Sequence, residues 1–261
     1  KTASETQMAR THSGSGDPKT SMELLWLRDD ETRRGPKPRL RLEQIVKAAV
    51  ELVDGEGVAA LSMRKVAERL GTTAMSIYTY LPSKAELVDL MVDAVLAELQ
   101  PIDASLDWRA KLTAIACDNR ALLKRHPWLL QLTTHRPVLG PHLIAKYERE
   151  LATLDDLGLS DVEMDLTLTL VNEYVWGAAR AAAEAPEIER SSGMSDDDWW
   201  GRYGPLLERV FDPNKFPVAA RVGPAASEAY GGLYDPDRNF SFGLARVLDG
   251  IELFLQRRER C

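Results

Sequence analysis

The stretch Ser62–Lys84, SMRKVAERLGTTAMSIYTYLPSK, decides how the chain reads. Ser62 is a natural helix N-cap, because its hydroxyl can accept from the free N–H groups of a first turn. Met63, Val66, Ala67 and Leu70 recur at helical spacing and predict one buried face. Gly71 follows where a left-handed C-cap residue is wanted, a conformation glycine adopts without strain. Thr73 can cap a second helix over 74–80, with Ala74, Ser76 and Thr79 on a small polar side and Ile77 opposite. Pro82 ends it. Two short helices across a Gly-bearing turn make the helix-turn-helix pattern, whose second helix can enter a DNA major groove. Spacing alone leaves a structural hairpin equally open.

Charge is the next discriminator. The 261-residue chain carries a net charge of −7, which argues against a protein that coats nucleic acid generally. From Arg33 to Lys84, however, ten Lys and Arg stand against five Asp and Glu, so this block is +5 and the remainder −12. A basic block on an acidic body suits a chain that touches phosphate at one end only. Arg33-Arg-Gly-Pro-Lys-Pro-Arg39 places four cations in seven residues, and its prolines keep it extended. It reads either as a solvated linker or as an arm along a minor groove, with Arg34, Lys37 and Arg39 as the phosphate-facing residues.

Residues 1–32 are rich in Ser, Thr, Gly and charge, and most of the segment is expected to lack fixed structure. The apolar knot Met22–Leu27 could dock as a single helical turn. After the arm, Leu42, Ile45, Val46, Ala49, Leu52 and Val53 predict an amphipathic helix. Ser83–Glu86 is a capping box that opens a helix closed by Pro101. A helix from Asp107 carries Trp108, Leu112, Ile115 and Ala116 inward and ends at His126-Pro127. Leu143, Ile144, Tyr147, Leu151 and Leu154 predict the buried side of another. A second capping box, Ser160–Glu163, opens a helix to about Glu184 that is apolar nearly all round. Such a helix must be covered on every side, and a second subunit is the natural cover. Residues 185–238 read as irregular with one helix near Pro205–Phe211. The last helix carries Phe240 to Leu255, with Gly243 and Gly250 two turns apart for close helix contact.

No alternating strand pattern, membrane-length apolar run or signal-peptide core is found. The expected fold is all-α: an extension at 1–39 that includes the arm 33–39, a three-helix helix-turn-helix domain at 40–85, and a helical body at 86–261. Cys117 and Cys261 are the only cysteines, which suggests a reducing compartment and hence the cytoplasm.

Several of these residues carry a family pattern. Val66-Ala67-Glu68-Arg69-Leu70-Gly71, then Ile77-Tyr78-Thr79-Tyr80-Leu81-Pro82-Ser83-Lys84-Ala85-Glu86-Leu87, resembles the DNA-binding domain of the tetracycline-repressor (TetR) family over about Leu40–Leu99. Trp108-Arg109, the His126-Pro127 step and Leu244–Ile251 are similar to the subgroup whose body is like that of the tetracycline repressor itself. Arg41, Thr72 and Leu81 depart from the usual Ser or Thr, Val and Phe of that pattern. The resemblance implies a transcriptional regulator, most often a repressor. It would bind a palindromic double-stranded operator as a homodimer, pairing through helices at about 160–184 and 240–257. A small molecule in the body would then release the operator.

Site residues follow. Tyr78, Tyr80 and Lys84 correspond to the family's phosphate contacts. Ser62 and Thr73 are N-caps whose neighbouring N–H groups can also hold phosphate. Arg64 is a backbone contact or a solvated cation. Ala74, Met75 and Thr79 are the candidate base readers, a methyl or thioether suiting a thymine methyl. In the body, Trp108, Trp128, Thr133, His135, Asn172, Tyr174 and Trp176 are candidates for lining a ligand cavity, and equally for ordinary core. His126, His135 and His142 have no metal-ligand spacing, so neither a metal nor a cofactor is expected. A helical enzyme is the alternative of another class, but no phosphate loop, nucleophile constellation or paired acids support it. A helical dimer with a vestigial helix-turn-helix is the third reading.

Overall fold

Asp17 accepts from the Thr20 N–H and Pro18 takes the first helical position, so a helix begins inside a run that composition marked as structureless. The computed structural model describes residues 12–27, 40–134 and 136–258. The cationic run with Arg34, Lys37 and Arg39 lies outside these residues, as do His135 and Cys261. Residues 12–27 correct the expectation of disorder. They form α1 (Pro18–Trp26), a nine-residue helix rather than one turn, with Leu25 and Ser21 buried. The reason is tertiary, since the acceptors for this segment come from a helix some 70 residues downstream.

Next come α2 (Leu42–Glu56), α3 (Met63–Arg69), α4 (Ala74–Tyr78) and α5 (Lys84–Leu96). Arg41 provides no side-chain cap for α2, but Gln44 reaches back to the Arg41 N–H at 2.9 Å. Ser83 caps α5 through the Ala85 N–H at 3.0 Å. The reciprocal half of the expected box is absent: Glu86 turns instead to the Ser83 hydroxyl and the Asp17 N–H.

The body continues with α6 (Trp108–Arg125), α7 (Leu129–Leu132) and α8 (Pro141–Leu151). On α8 the expected face is only partly inward: Leu143 and Leu151 are half-buried, and Leu154 just beyond it is fully buried. Ile144 and Tyr147 are 43% and 42% exposed, whereas Glu150 is 1% exposed. Lys146 and Glu150, one turn apart, neutralise each other at 2.7 Å, and Asn119 of α6 adds a hydrogen bond to Glu150 at 3.0 Å. A charged pair that supplies its own counterion and donors can enter a core where an apolar count would not place it.

Then follow α9 (Asp161–Ser192), α10 (Asp196–Val210), α11 (Pro217–Tyr230) and α12 (Pro236–Arg258). The Ser160–Glu163 box is fully made. Residues 185–238, expected to be irregular, are mostly helical. Prolines 186, 205 and 224 lie inside helices instead of ending them. Ser195 caps α10 through the Asp198 N–H, three acids fill its first turn, and Trp199 stacks on Tyr203 at 4.5 Å.

The chain divides into two compact units after Leu168, within α9. The helix-turn-helix therefore shares its unit with α5–α8. In the second unit Tyr174 of α9 donates to the Phe240 carbonyl at 2.9 Å and stacks on its ring. A Cβ at Gly243 would lie 2.2 Å from the Tyr174 hydroxyl, which explains one of the two glycines; Gly250 meets nothing in this chain. Among the described residues there is no strand, and no helix is long and apolar enough to cross a membrane.

Candidate nucleic-acid interface

Most local signals of the 62–84 stretch have a structural counterpart, although α4 ends at Tyr78, short of the expected 74–80 and before Pro82. The Ser62 hydroxyl accepts from Lys65 N–H and the Thr73 hydroxyl from Ser76 N–H, both at 3.2 Å. Gly71 takes φ +63°, left-handed and strained for any side chain. Ile77 and Leu81 are fully buried and pin α4 to the core of its unit. The opposite side then faces out, with Met75 75% and Tyr78 46% exposed. Thr79 is exposed too, its hydroxyl donating back to the Met75 carbonyl. Ala74, Tyr80 and Lys84 are half-buried beside it. Partial burial lowers the Lys84 pKa, and Lys84 makes no ion pair among the described residues.

The basic block is less free than its sequence suggests. Glu56, at the end of α2, takes Lys65 at 2.8 Å and Arg69 at 3.8 Å. The hydrogen bond from Lys65 holds the Glu56 carboxyl below the usual carboxylate range. Arg64 pairs with Glu68 one turn on, at 3.5 Å. These ion pairs are exposed and can yield to phosphate at little cost.

Behind the interface a buried junction ties α2 to the body. His126, the C-cap of α6, is buried with Nδ1 2.8 Å from Asp54 and Nε2 3.2 Å from Glu98. Trp128 donates its indole N–H to the same Asp54 at 2.7 Å. Burial pushes the Glu98 carboxyl up, but hydrogen bonds from Arg125 and then His126 outweigh it and hold the group below its usual range. Asp54 carried no signal in the sequence beyond its place near the end of an amphipathic helix.

The body candidates fall in both compact units. Trp128 is core, with its polar atom committed to Asp54. Trp108 is half-buried in the first turn of α6, and the Thr133 hydroxyl is spent on Leu129. In the other unit Asn172 and Trp176 share a side of α9, while Tyr174 turns toward α12. Sequence reasoning missed the buried Lys146, Glu150 and Asn119 group. There burial lowers the Lys146 pKa against the opposing pull of Glu150. The i, i+4 spacing of Lys146 and Glu150 was its visible trace.

A capped helix pair with a short second helix held outward, followed by a long all-helical body, defines a helix-turn-helix regulator. Residues 45–91 match the model of bacterial regulatory proteins of the tetR family, and 100–255 that of the tetracyclin repressor-like C-terminal domain. The chain belongs to the TetR family and is a DNA-binding transcriptional regulator with a ligand-responsive helical body.

The chain is 42% identical over 248 residues to the HTH-type transcriptional repressor DrrR1 of Streptomyces coeruleorubidus, covering 94% of this chain and 90% of that one. With the class C tetracycline repressor protein of Escherichia coli it shares 28% over 219 residues, 82% of this chain and 91% of that one. Among solved structures, the Streptomyces coelicolor TetR family protein ActR in complex with actinorhodin superposes with a TM-score of 0.67 at 26% identity. That match covers 81% of this chain and 95% of that one.

Proposed function

We propose that this chain is a repressor that binds a palindromic operator as a homodimer and is released by a small-molecule inducer. The observation that carries the reading is α4. Ile77 and Leu81 anchor it inward while Met75, Tyr78 and Thr79 stand outward beside half-buried Tyr80 and Lys84. In this reading Tyr78, Tyr80, Lys84 and Arg64 hold phosphate, with the N-caps Ser62 and Thr73 bringing N–H groups to the same backbone. Ala74, Met75 and Thr79 meet base edges. The two recognition helices then sit about 34–36 Å apart, one turn of DNA.

The pairing surface is formed by the helices at 160–184 and 240–257. Leu166 and Leu170 of α9 and Leu253 and Phe254 of α12 are exposed in the single chain, which supports a second copy as their cover. The ActR complex with actinorhodin supports a body that takes a small molecule. An inducer that prefers the wrong helix spacing shifts the population away from the DNA-competent state. The reading is non-enzymatic and cytoplasmic, and it is in keeping with relatives that are transcriptional regulators.

The test is fluorescence anisotropy with a duplex taken from upstream of the chain's own gene, titrated at several salt concentrations. Submicromolar binding that weakens steeply with salt is expected. No binding to any duplex below micromolar concentration at low salt would overturn the reading.

A further inference from the structure

Residues 13–26 grip α5 and the body at several points along one path. The Ser13 N–H donates to the Leu132 carbonyl at 2.8 Å, at the end of α7. The Gly14 N–H and the Ser21 hydroxyl donate to the two oxygens of Asp89 at 2.7 and 2.8 Å. The Asp17 N–H donates to Glu86 at 3.0 Å. Trp26 then donates its indole N–H to the Leu139 carbonyl at 2.7 Å, ahead of α8. Gly16 packs so close that a Cβ there would lie 2.7 Å from the Glu86 carboxyl. Glu86 and Asp89 are both buried on one side of α5, and buried carboxylates need donors.

The contacts fall on the helix that matters for positioning. α5 follows α4 after the short connection 79–83, and it packs on α2. Any looseness of α5 against the body becomes looseness of the recognition helix. Further along the same side of the helix, Asp93 receives the His142 and Leu143 N–H groups at the start of α8, each at 3.1 Å. The α8 contact thus holds α5 further along, and the 13–26 segment holds the half nearer the DNA.

We infer that residues 13–26 are an intramolecular strap, docked on Glu86 and Asp89, that holds α5 in the arrangement that binds DNA. Glu86 and Asp89 are positioning residues; neither touches DNA. The inference rests on the DNA-binding reading above. Ordering α5 in advance removes part of the entropy cost that binding otherwise meets. By linkage, whatever strap docking adds to DNA affinity, DNA adds to strap docking.

The test uses the full chain, its Asp89→Asn and Trp26→Phe variants, and the same upstream duplex. Trp26→Phe removes one hydrogen bond from a half-exposed side chain and leaves the fold intact. Both variants are expected to bind the duplex more weakly, by about five-fold for Asp89→Asn. Exchange of the Gly14 and Asp17 amide protons is expected to slow in the wild type when duplex is added, a response that a merely structural segment would not show. Wild-type affinity in both variants, or amide exchange indifferent to DNA, would overturn the strap. A wild type that binds no duplex overturns the DNA reading itself and the strap's role with it.

Discussion

Lys84 opens α5, where a cation opposes the helix dipole and partial burial disfavours its charge. A nearby phosphate would relieve both costs. Replacing it with Ala is therefore expected to weaken binding to all duplexes alike and to lower the salt slope by about 1, as measured by anisotropy across salt concentrations. Met75→Ala is expected to change the preference among duplexes and leave the slope alone. Glu98 makes a pH prediction. Its carboxyl stays low because Arg125 and His126 donate to it despite burial. A lowered acid contributes stability that is present above its unfolded value and lost as pH falls through the folded one. The melting difference between wild type and Glu98→Gln should accordingly be largest near neutrality and close as pH drops below about 4.5. These side chains differ in legibility. Lys84 was readable because its role is set by a position on a helix, whereas the partners of Glu98 lie 27 and 28 residues away.

At the scale of the element, α8 shows what apolar spacing does and does not specify. It predicts a helix, and a helix forms. It does not say which side faces in, because Lys146 and Glu150 neutralise each other one turn apart and meet Asn119. Lys146→Met should leave buried Glu150 with only the longer 3.6 Å contact to Arg149 and cost about 3 kcal/mol, read as a fall in melting temperature. The double variant Lys146→Met with Glu150→Leu should recover part of that loss, because it removes the Lys146–Glu150 pair together while Arg149 keeps its bond to the Gln100 carbonyl. α10 and α11 carry the complementary lesson. Pro and Gly read as breakers, yet in α10 the Ser195 cap, the first-turn acids and the stacked aromatics outweigh them, and α11 takes Pro217 in its first turn.

At the scale of the whole molecule, α9 and α12 present apolar side chains that one copy leaves in water. Leu170→Arg is expected to shift the protein from dimer to monomer in analytical ultracentrifugation. It should also remove most operator binding, because two tethered recognition helices gain affinity that one lacks. The charge asymmetry acts at this scale as well. The −12 body is expected to keep phosphate contact confined to the basic end, and high salt should release operator and non-specific duplex together.

The sequence by itself determined what is local. Ser62, Gly71 and Thr73 punctuate two short helices because caps and left-handed turns act within a few residues. The register of Tyr78, Tyr80 and Lys84 then identified the family. Only the tertiary structure decided where polar groups find partners. It paired Glu56 with Lys65 and Arg69, set His126 and Trp128 on Asp54, turned the charged side of α8 inward, and ordered residues 12–27 on the carboxylates of α5. Burying a charge is favourable or ruinous according to a partner distant in the chain, and no local pattern records that partner.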